Sequence, residues 1–313
     1  MSALLIVDQF EKEFVEAAIR MDFAGVSYRP TITRQDLLGT RHKAKVLVVR
    51  SKVAVDEALL NVLPEVKLII RAGAGLEQVD LEACTRRGVK VEATPGANAQ
   101  SVGEHALGML LMLLNHLHSA DRQVRQGLWQ REQNRGSELS GLTVGIIGYG
   151  HTGRALARVL YGFECQVLAY DKYRSAYGDT YAREATMADI FARSEVISLH
   201  VPLTLETTYL VDTPFLASFA KPIWLLNLSR GGVVDTAALL AALESGAVRG
   251  AGLDVLENEK LDTLTPEQAT HLNALAARDN VVLTPHVGGW TSQSERRISH
   301  AVLDRLARFL QDQ

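Results

Sequence analysis

Cysteine is almost absent from this sequence, with two in 313 residues, Cys84 and Cys165. Both lie in stretches that read as helix or strand, so they are expected to be reduced core thiols. A disulfide framework and a cysteine zinc site are excluded. No sign of charge dominates. The formal net charge is −3, which leaves no field to draw nucleic acid or an anionic membrane surface. Long apolar runs are missing too. The longest apolar helix, near Ala106–Leu117, is too short to span a bilayer and is marked by His105, Asn115 and His116. The opening MSALLIVDQFEKEF has no basic n-region and its apolar run stops at Asp8. A signal peptide is therefore not expected, and the cytoplasm is the expected compartment. Low-complexity tracts and short repeats are absent. His42, His105, His116, His118, His200, His271 and His300 form no metal-ligand spacing, so no metal is expected.

What is present is an alternation. At 47% hydrophobic and 22% charged, the chain has ordinary globular composition, and its length suits about two domains of ~150 residues. In the first third, ALLIVD, GVSYR, KVLVVR, KLIIRA and GVKVEA read as short strands. Helical stretches separate them at Glu11–Met21, Arg34–Leu38, Val55–Leu63 and Val79–Arg87. Strands alternating with helices imply a parallel sheet covered by helices. A long helix is expected over about Ala99–Gln126, followed by the polar loop WQREQNRGSELSG. A second series then begins: TVGIIG, QVLAYD, VISLHV, IWLLNLS, GAGLDV and NVVLTPH. An amphipathic helix, Ser292–Gln313, closes the chain. Two doubly wound α/β domains are expected. One large α/β sheet is the alternative, and periodicity does not say which domain owns the last helix.

The strand Leu142–Ile147 runs directly into Gly148-Tyr149-Gly150-His151-Thr152-Gly153, and a helix, RALARVLYGF, follows. In such a unit the first glycine allows a tight turn. The second lets the backbone approach a pyrophosphate, and the third lets the helix pack on the strand. The pyrophosphate then meets unpaired N–H groups and the positive end of the helix dipole, with His151 and Thr152 as further donors. GxGxxG alone is weak. Here the next strand, QVLAY, ends in Asp171, at the spacing of the acid that accepts from the adenosine ribose hydroxyls. Asp171 would repel a 2′-phosphate, which favours NAD over NADP. Lys172 and Arg174 pull the other way.

A bound nicotinamide needs a partner that exchanges hydride. A hydroxyl–carbonyl couple also needs an acid/base near neutrality and a cation for the substrate. Arg230 leaves strand IWLLNLS into Gly231-Gly232, and its fork suits a carboxylate. Read alone, it is equally a surface arginine paired with Asp235. His286 follows strand NVVLT and precedes Gly288-Gly289. Imidazole titrates near neutrality, although a lone turn histidine is more often structural. Glu259, one of three acids with Asp254 and Glu257 and a weak signal when read alone, is a candidate to contact His286 and raise its pKa. In the first domain, Arg71-Ala72-Gly73-Ala74-Gly75 follows strand KLII, and glycine loops of this kind bind anions through backbone N–H groups. Arg50 ends strand KVLVV. Arg50 and Arg71 would add positive charge to a cleft between the domains, or else form surface salt bridges.

These residues, in this order, resemble the D-isomer-specific 2-hydroxyacid dehydrogenases, most of all their phosphoglycerate-oxidising branch. The resemblance covers nearly the whole chain. It runs through VLVVRSK, RAGAGLEQVD, ATPGANAQSVGEHALGMLL, GLTVGIIGYGHTG, HVPLTLETT, NLSRGGVVDTAAL, GAGLDVLENE and NVVLTPHVGG. It implies a flavodoxin-like substrate-binding domain, residues 1–97 and 291–313, with an inserted NAD-binding Rossmann domain, residues 98–290. It implies a catalytic set of Arg230, Glu259 and His286. Arg230 would bind the substrate carboxylate and carbonyl, and His286 would exchange the proton. Glu259 would orient His286 and stabilise its cationic form. NAD contacts are implied at Ala74, Gly148, Gly150, His151, Thr152, Gly153, Asp171, Val201, Leu228, Ser229, Arg230, Asp254 and His286 to Gly289, with Gly288 among them. Asp254 would meet the nicotinamide carboxamide. Ala74 and Gly75 would take the substrate carboxylate, and Arg50 and Arg71 a substrate phosphate. The 99–126 helix and following loop match the family's dimerisation region, so a homodimer is expected.

Three departures concern the substrate more than the reaction. Lys260 stands where the family has proline. The stretch between Glu259 and His286 is long enough to cover an active site. Trp290 replaces a small residue. The expected reaction is hydride transfer between NAD and a D-2-hydroxy acid, first 3-phosphoglycerate, with hydroxypyruvate or glyoxylate reduction as the alternative. The alternative of another class is an NAD(H)-sensing corepressor-like binding protein. The intact Arg230, Glu259 and His286 argue against it.

Overall fold

A computed structural model describes residues 3–312. The chain divides into two compact units, Met1–Asn98 with Thr291–Gln313, and Ala99–Trp290. Each is a parallel sheet flanked by helices.

The first unit holds strands β1 (Ala3–Ile6), β2 (Gly25–Tyr28), β3 (Val46–Val49), β4 (Leu68–Arg71) and β5 (Lys90–Ala93) in the order β2-β1-β3-β4-β5. All four residues of β3 are buried. A continuous apolar run of this kind belongs to a strand covered on both faces. Successive side chains alternate between faces, and the packing follows. Leu4, Ile6, Val46, Val48, Leu68 and Ile70 share one core with Phe10, Phe14 and the last helix, Ser292–Gln311. Leu5, Leu47, Val49 and Ile69 meet Leu59, Leu60 and Ala83 on the other face. The last helix contributes Ile298, Val302 and Leu306, four residues apart and so on one stripe. Burying each is worth roughly 1.5–3 kcal/mol, which fixes the chain's end in the first unit.

The second unit holds β6 (Thr143–Ile147), β7 (Gln166–Tyr170), β8 (Arg183–Glu184), β9 (Val196–Leu199), β10 (Ile223–Asn227), β11 (Val248–Leu253) and β12 (Val281–Leu283). Their order is β12-β11-β10-β9-β6-β7-β8, all parallel. The two-residue β8 was not legible as a strand in the sequence, because its residues are charged and exposed. The expected 99–126 helix is two helices, Ala99–Leu114 and Leu117–Arg125. The break is His116, which adopts a left-handed φ of 52°. Histidine enters that region more readily than branched residues do. The first helix is buried along much of its length, and in the second only Ser119 is buried. Cys84 lies in the first unit's core, Cys165 is half-buried at the edge of the second's, and both are free thiols. No helix among the described residues is long and apolar enough to cross a membrane.

Candidate active site

In the second unit the strand order reverses between β6 and β9. Ligands of doubly wound sheets bind beyond the carboxyl ends of the strands at such a switch point. The chain leaves β6 through Gly148, whose φ is +94°. A Cβ there would lie 2.5 Å from the carbonyl oxygen of His200, just past β9. A Cβ on Gly153 would lie 2.2 Å from the Gly148 carbonyl oxygen. Both positions therefore need glycine for the turn to close. Gly150 is different: a Cβ there would meet nothing within 4 Å. It caps the helix His151–Leu160 without any side-chain hydrogen bond. The backbone thus leaves open space over a ten-residue helix N-terminus, as a dinucleotide pyrophosphate requires.

Asp171, one residue past β7, is held beside this turn. Its Oδ2 accepts from the Tyr149 N–H at 3.0 Å and its Oδ1 from the Tyr173 N–H at 3.1 Å. Of the two basic neighbours, Lys172 is paired with Glu206, and Arg174 donates to the Tyr149 carbonyl. Their charge is thereby partly committed within the protein. His200 is bonded to the Ser198 hydroxyl at 2.8 Å, and burial pushes its pKa down to about 4. It therefore stays neutral.

The unit also brings together the expected catalytic residues. His286 Nδ1 and Glu259 Oε2 are 2.9 Å apart. The hydrogen bond to Glu259 raises the His286 pKa against the opposing effect of burial, and the charge of Arg230 lies close enough to push it down. Because Nδ1 is committed to Glu259, the proton available for exchange is the one on Nε2. Both side chains are nearly half exposed. Arg230 follows β10 and its Nη1 donates to the Ser229 carbonyl at 2.7 Å. Ser229 is fixed in turn by Asn227, whose Oδ1 accepts from the Ser229 N–H and hydroxyl. Asp235 caps the helix Thr236–Ser245 through the N–H groups of Ala237 and Ala238. Gly231 explains why the arginine turn lies against the Glu259 segment: a Cβ there would fall 1.8 Å from the Leu256 carbonyl oxygen.

His286 has a left-handed φ of 56°, a conformation that needs support from its surroundings. Asp254 supplies it. This carboxylate is 2% exposed. Its Oδ1 accepts from the Thr284 hydroxyl at 2.6 Å and the Val287 N–H at 2.9 Å, and its Oδ2 from the Gly288 N–H at 2.8 Å. Its backbone carbonyl accepts the His286 N–H at 2.7 Å. The family resemblance implies a nicotinamide contact for Asp254; its two oxygens also hold the loop that carries His286. Thr284 has one hydroxyl proton and gives it to Asp254, so His105 Nε2, 3.0 Å away, is the donor to Thr284. Sequence reasoning missed Thr284 and His105. Thr284 stands two residues before His286, which is a usable signal. His105 is 179 residues away, and no spacing rule reaches it.

Val201, Leu228 and Gly289 lie at the same carboxyl edge, Leu228 buried and Val201 and Gly289 half-buried. The long segment after Glu259 does not form a free cover. It folds as a turn at Leu261–Thr263 and the helix Pro266–Ala276, which packs beside the helix Thr236–Ser245 and buries Leu275 in the core.

The remaining expected residues belong to the first unit. Arg50 follows β3 and is buried. Its Nη2 lies 2.9 Å from Glu295 Oε1, and its guanidinium is stacked 4.5 Å from the Phe10 ring centroid. Expected either to face a cleft or to form a surface salt bridge, Arg50 is buried and paired with Glu295. Arg71 ends β4 and folds over Gly73, where any Cβ would lie 1.3 Å from its Nη1. Thr94 pins this glycine loop, accepting the Gly73 N–H at 2.8 Å and donating its own N–H to the Gly73 carbonyl at 2.8 Å. Ala74 is exposed and Gly75 half-buried on the same loop.

A family profile described as "D-isomer specific 2-hydroxyacid dehydrogenase, NAD binding domain" matches residues 107–288. The chain is 33% identical to the hydroxypyruvate reductase of Thermotoga maritima over 279 residues, 89% of each protein. It is 39% identical over 271 residues to the D-3-phosphoglycerate dehydrogenase of Mycobacterium tuberculosis, covering 84% of this chain and 49% of that enzyme. The chain thus spans about half the length of that enzyme. Among solved structures, the D-lactate dehydrogenase of Aquifex aeolicus complexed with NAD and lactic acid superposes with a TM-score of 0.84 at 28% identity, covering 99% of this chain and 96% of that one.

Proposed function

The chain belongs to the D-isomer-specific 2-hydroxyacid dehydrogenase family and is an NAD-dependent oxidoreductase, and on that premise we propose that it interconverts a small 2-keto acid and its D-2-hydroxy acid. The observation that carries this reading is the His286–Glu259 pair at 2.9 Å, with Arg230 within electrostatic reach. NAD, when bound, would supply or take the hydride at the substrate C2. Gly148, Gly150 and Gly153 would cradle its pyrophosphate on the helix His151–Leu160, and Asp171 would hold its ribose. In the reducing direction His286 Nε2 gives its proton to the carbonyl oxygen as that oxygen gains electrons. Glu259 stays ionised at Nδ1 and keeps the imidazolium charged until the transfer. Arg230 takes the substrate carboxylate and polarises the carbonyl. Oxidation runs the same proton back to Nε2, so it needs His286 neutral.

Hydroxypyruvate or glyoxylate is the proposed acid ahead of 3-phosphoglycerate, because Arg50, expected to meet a phosphate, is already matched by Glu295 within its own unit, and a relative matched over 89% of both chains is a hydroxypyruvate reductase. A panel of 2-keto acids with NADH and NADPH tests the proposal. Turnover of at least one acid with NADH is expected. Tight NADH binding with no turnover of any acid would overturn it and favour the sensing alternative.

A further inference from the structure

Glu259 and His286 are both nearly half exposed, so burial does not hold the pair together. On a loose loop the carboxylate would leave the imidazole for water, and a misplacement of about 1 Å at such a site costs about 100-fold in rate. What restrains Glu259 is the backbone on either side of it. Before it, Glu257 Oε1 accepts from the Thr236 N–H at 2.8 Å and hydroxyl at 2.5 Å, at the start of the helix Thr236–Ser245. Around it, Asn258 Oδ1 accepts the Lys260 N–H at 3.0 Å. That bond closes a side-chain turn with Glu259 at its centre. Asn258 Nδ2 reaches the long segment that follows. It lies 3.2 Å from the Thr263 hydroxyl, 3.3 Å from the Thr263 carbonyl oxygen and 3.3 Å from Gln268 Oε1. Thr263 returns to the turn, its N–H and hydroxyl each donating to the Lys260 carbonyl at 2.9 Å. Gln268 is fixed in the capping box of the helix Pro266–Ala276, where its Oε1 also accepts the Thr265 N–H at 3.1 Å. Leu275 anchors that helix in the core.

Resting on the assignment of proton exchange to His286 and Glu259, we propose that Asn258 is a positioning residue for the reaction: it ties the Glu259 turn to the capped helix Pro266–Ala276 and so keeps the Glu259 carboxylate on His286 Nδ1. The segment between Glu259 and His286 is thereby a brace for that carboxylate. An asparagine suits the place because one planar group carries an acceptor and two donor protons. Its oxygen closes the turn and its nitrogen joins the turn to the helix. Asn258 has no charge of its own. Removing it leaves Glu259, Asp254 and Arg230, the charged groups acting on His286, all present. A change in the His286 titration on removing Asn258 therefore reports the placement of Glu259.

The test reads His286 directly, by NMR on protein labelled with carbon-13 at histidine Cε1. The His286 resonance is the one missing from the His286→Gln protein. Asn258→Ala is expected to lower the His286 titration midpoint by about half a pH unit, because a loosened Glu259 stabilises the imidazolium less. Thr265→Ala is the control for plain destabilisation. It removes the cap of the helix Pro266–Ala276 and leaves Asn258 in place, so Tm is expected to fall with the midpoint unmoved. With hydroxypyruvate and saturating NADH, Asn258→Ala is expected to lower kcat about threefold on the alkaline limb, the factor that half a unit gives there, and to match the wild type at acid pH. An unmoved midpoint in Asn258→Ala overturns the proposal, and so does a midpoint that rises. An equal fall in Thr265→Ala also overturns it, since the stability of the helix would then be the cause. A wild type that turns over no 2-keto acid defeats the functional reading instead. The NMR midpoints need no turnover and still decide whether Asn258 holds Glu259 on His286.

Discussion

At the switch point of the second unit, between β6 and β9, the chain leaves its strand in glycine and a helix N-terminus, with open space where a Cβ of Gly150 would be. At that of the first, between β1 and β3, it leaves its strands in Asp8 and Arg50, both buried; Asp8 accepts the Arg50 N–H, and the Arg50 guanidinium is matched by Glu295 and Phe10. One edge is built by omitting side chains. The other is filled with side chains that satisfy one another. The first arrangement receives a large ligand through backbone groups and asks little of its charge. The second spends its charges on one another inside the protein. The comparison predicts that substitutions at the open or exposed positions of the second unit's edge, Gly150 and His286, cost function with little stability, and those at the first unit's edge cost stability.

The largest expected effect is at His286. His286→Ala removes the proton donor and is expected to lower kcat by ~100-fold or more, the scale of general acid–base catalysis. NADH binding, read by fluorescence, is expected to persist. Loss of NADH binding together with kcat would mean that the residue supports the fold of the edge instead. Next is Asp8. Asp8→Ala strips the acceptor from a buried N–H and is expected to cost about 1–3 kcal/mol of stability in a denaturant titration, with NADH affinity unchanged. A variant as stable as the wild type would break the comparison from the first unit's side. Gly150→Ala should do the reverse. Its φ of −83° suits alanine and its Cβ meets no protein atom, so Tm should hold while NADH affinity falls about tenfold, or 1.4 kcal/mol. A fall in Tm with unchanged affinity would show that the open space is not a ligand's.

The same contrast explains what was legible in the sequence. The dinucleotide edge is local: Gly148 to Gly153 are consecutive, and Asp171 follows one strand later, so spacing alone conveys the geometry. The alternating strands of both sheets were legible for the same reason, since burial imposes a period over a few residues. The break at His116 was not, because an apolar helix leading into a polar one looks continuous until tertiary packing ends the buried face. Arg50 could be seen, but not its partner. Glu295 is on a helix that returns from the far end of the chain, and no local pattern announces a pair of that separation. The network behind His286 fails for the same reason. Asp254 and Thr284 looked like strand-end residues, and His105 looked like one more helix position.

The smallest expected effect is also the most specific to the proton transfer. Glu259 raises the pKa of His286 in the folded protein. The protonated imidazole, which reduction needs, therefore persists to higher pH than it would unaided, and reduction is lost as pH rises through the raised value. Glu259→Gln keeps a hydrogen-bonding group and removes the charge. The alkaline limb of kcat for reduction should then move to lower pH. The limb on which oxidation rises should move the same way, because oxidation needs the neutral form of the same nitrogen. At acid pH, where His286 is protonated with or without Glu259, the variant should approach the wild-type rate of reduction. That convergence separates a pKa effect from lost geometry, which would depress the rate equally at every pH. Profiles measured from both directions with NADH and NAD decide it. Parallel, unshifted profiles would leave Glu259 as a structural support for the left-handed His286 and no more.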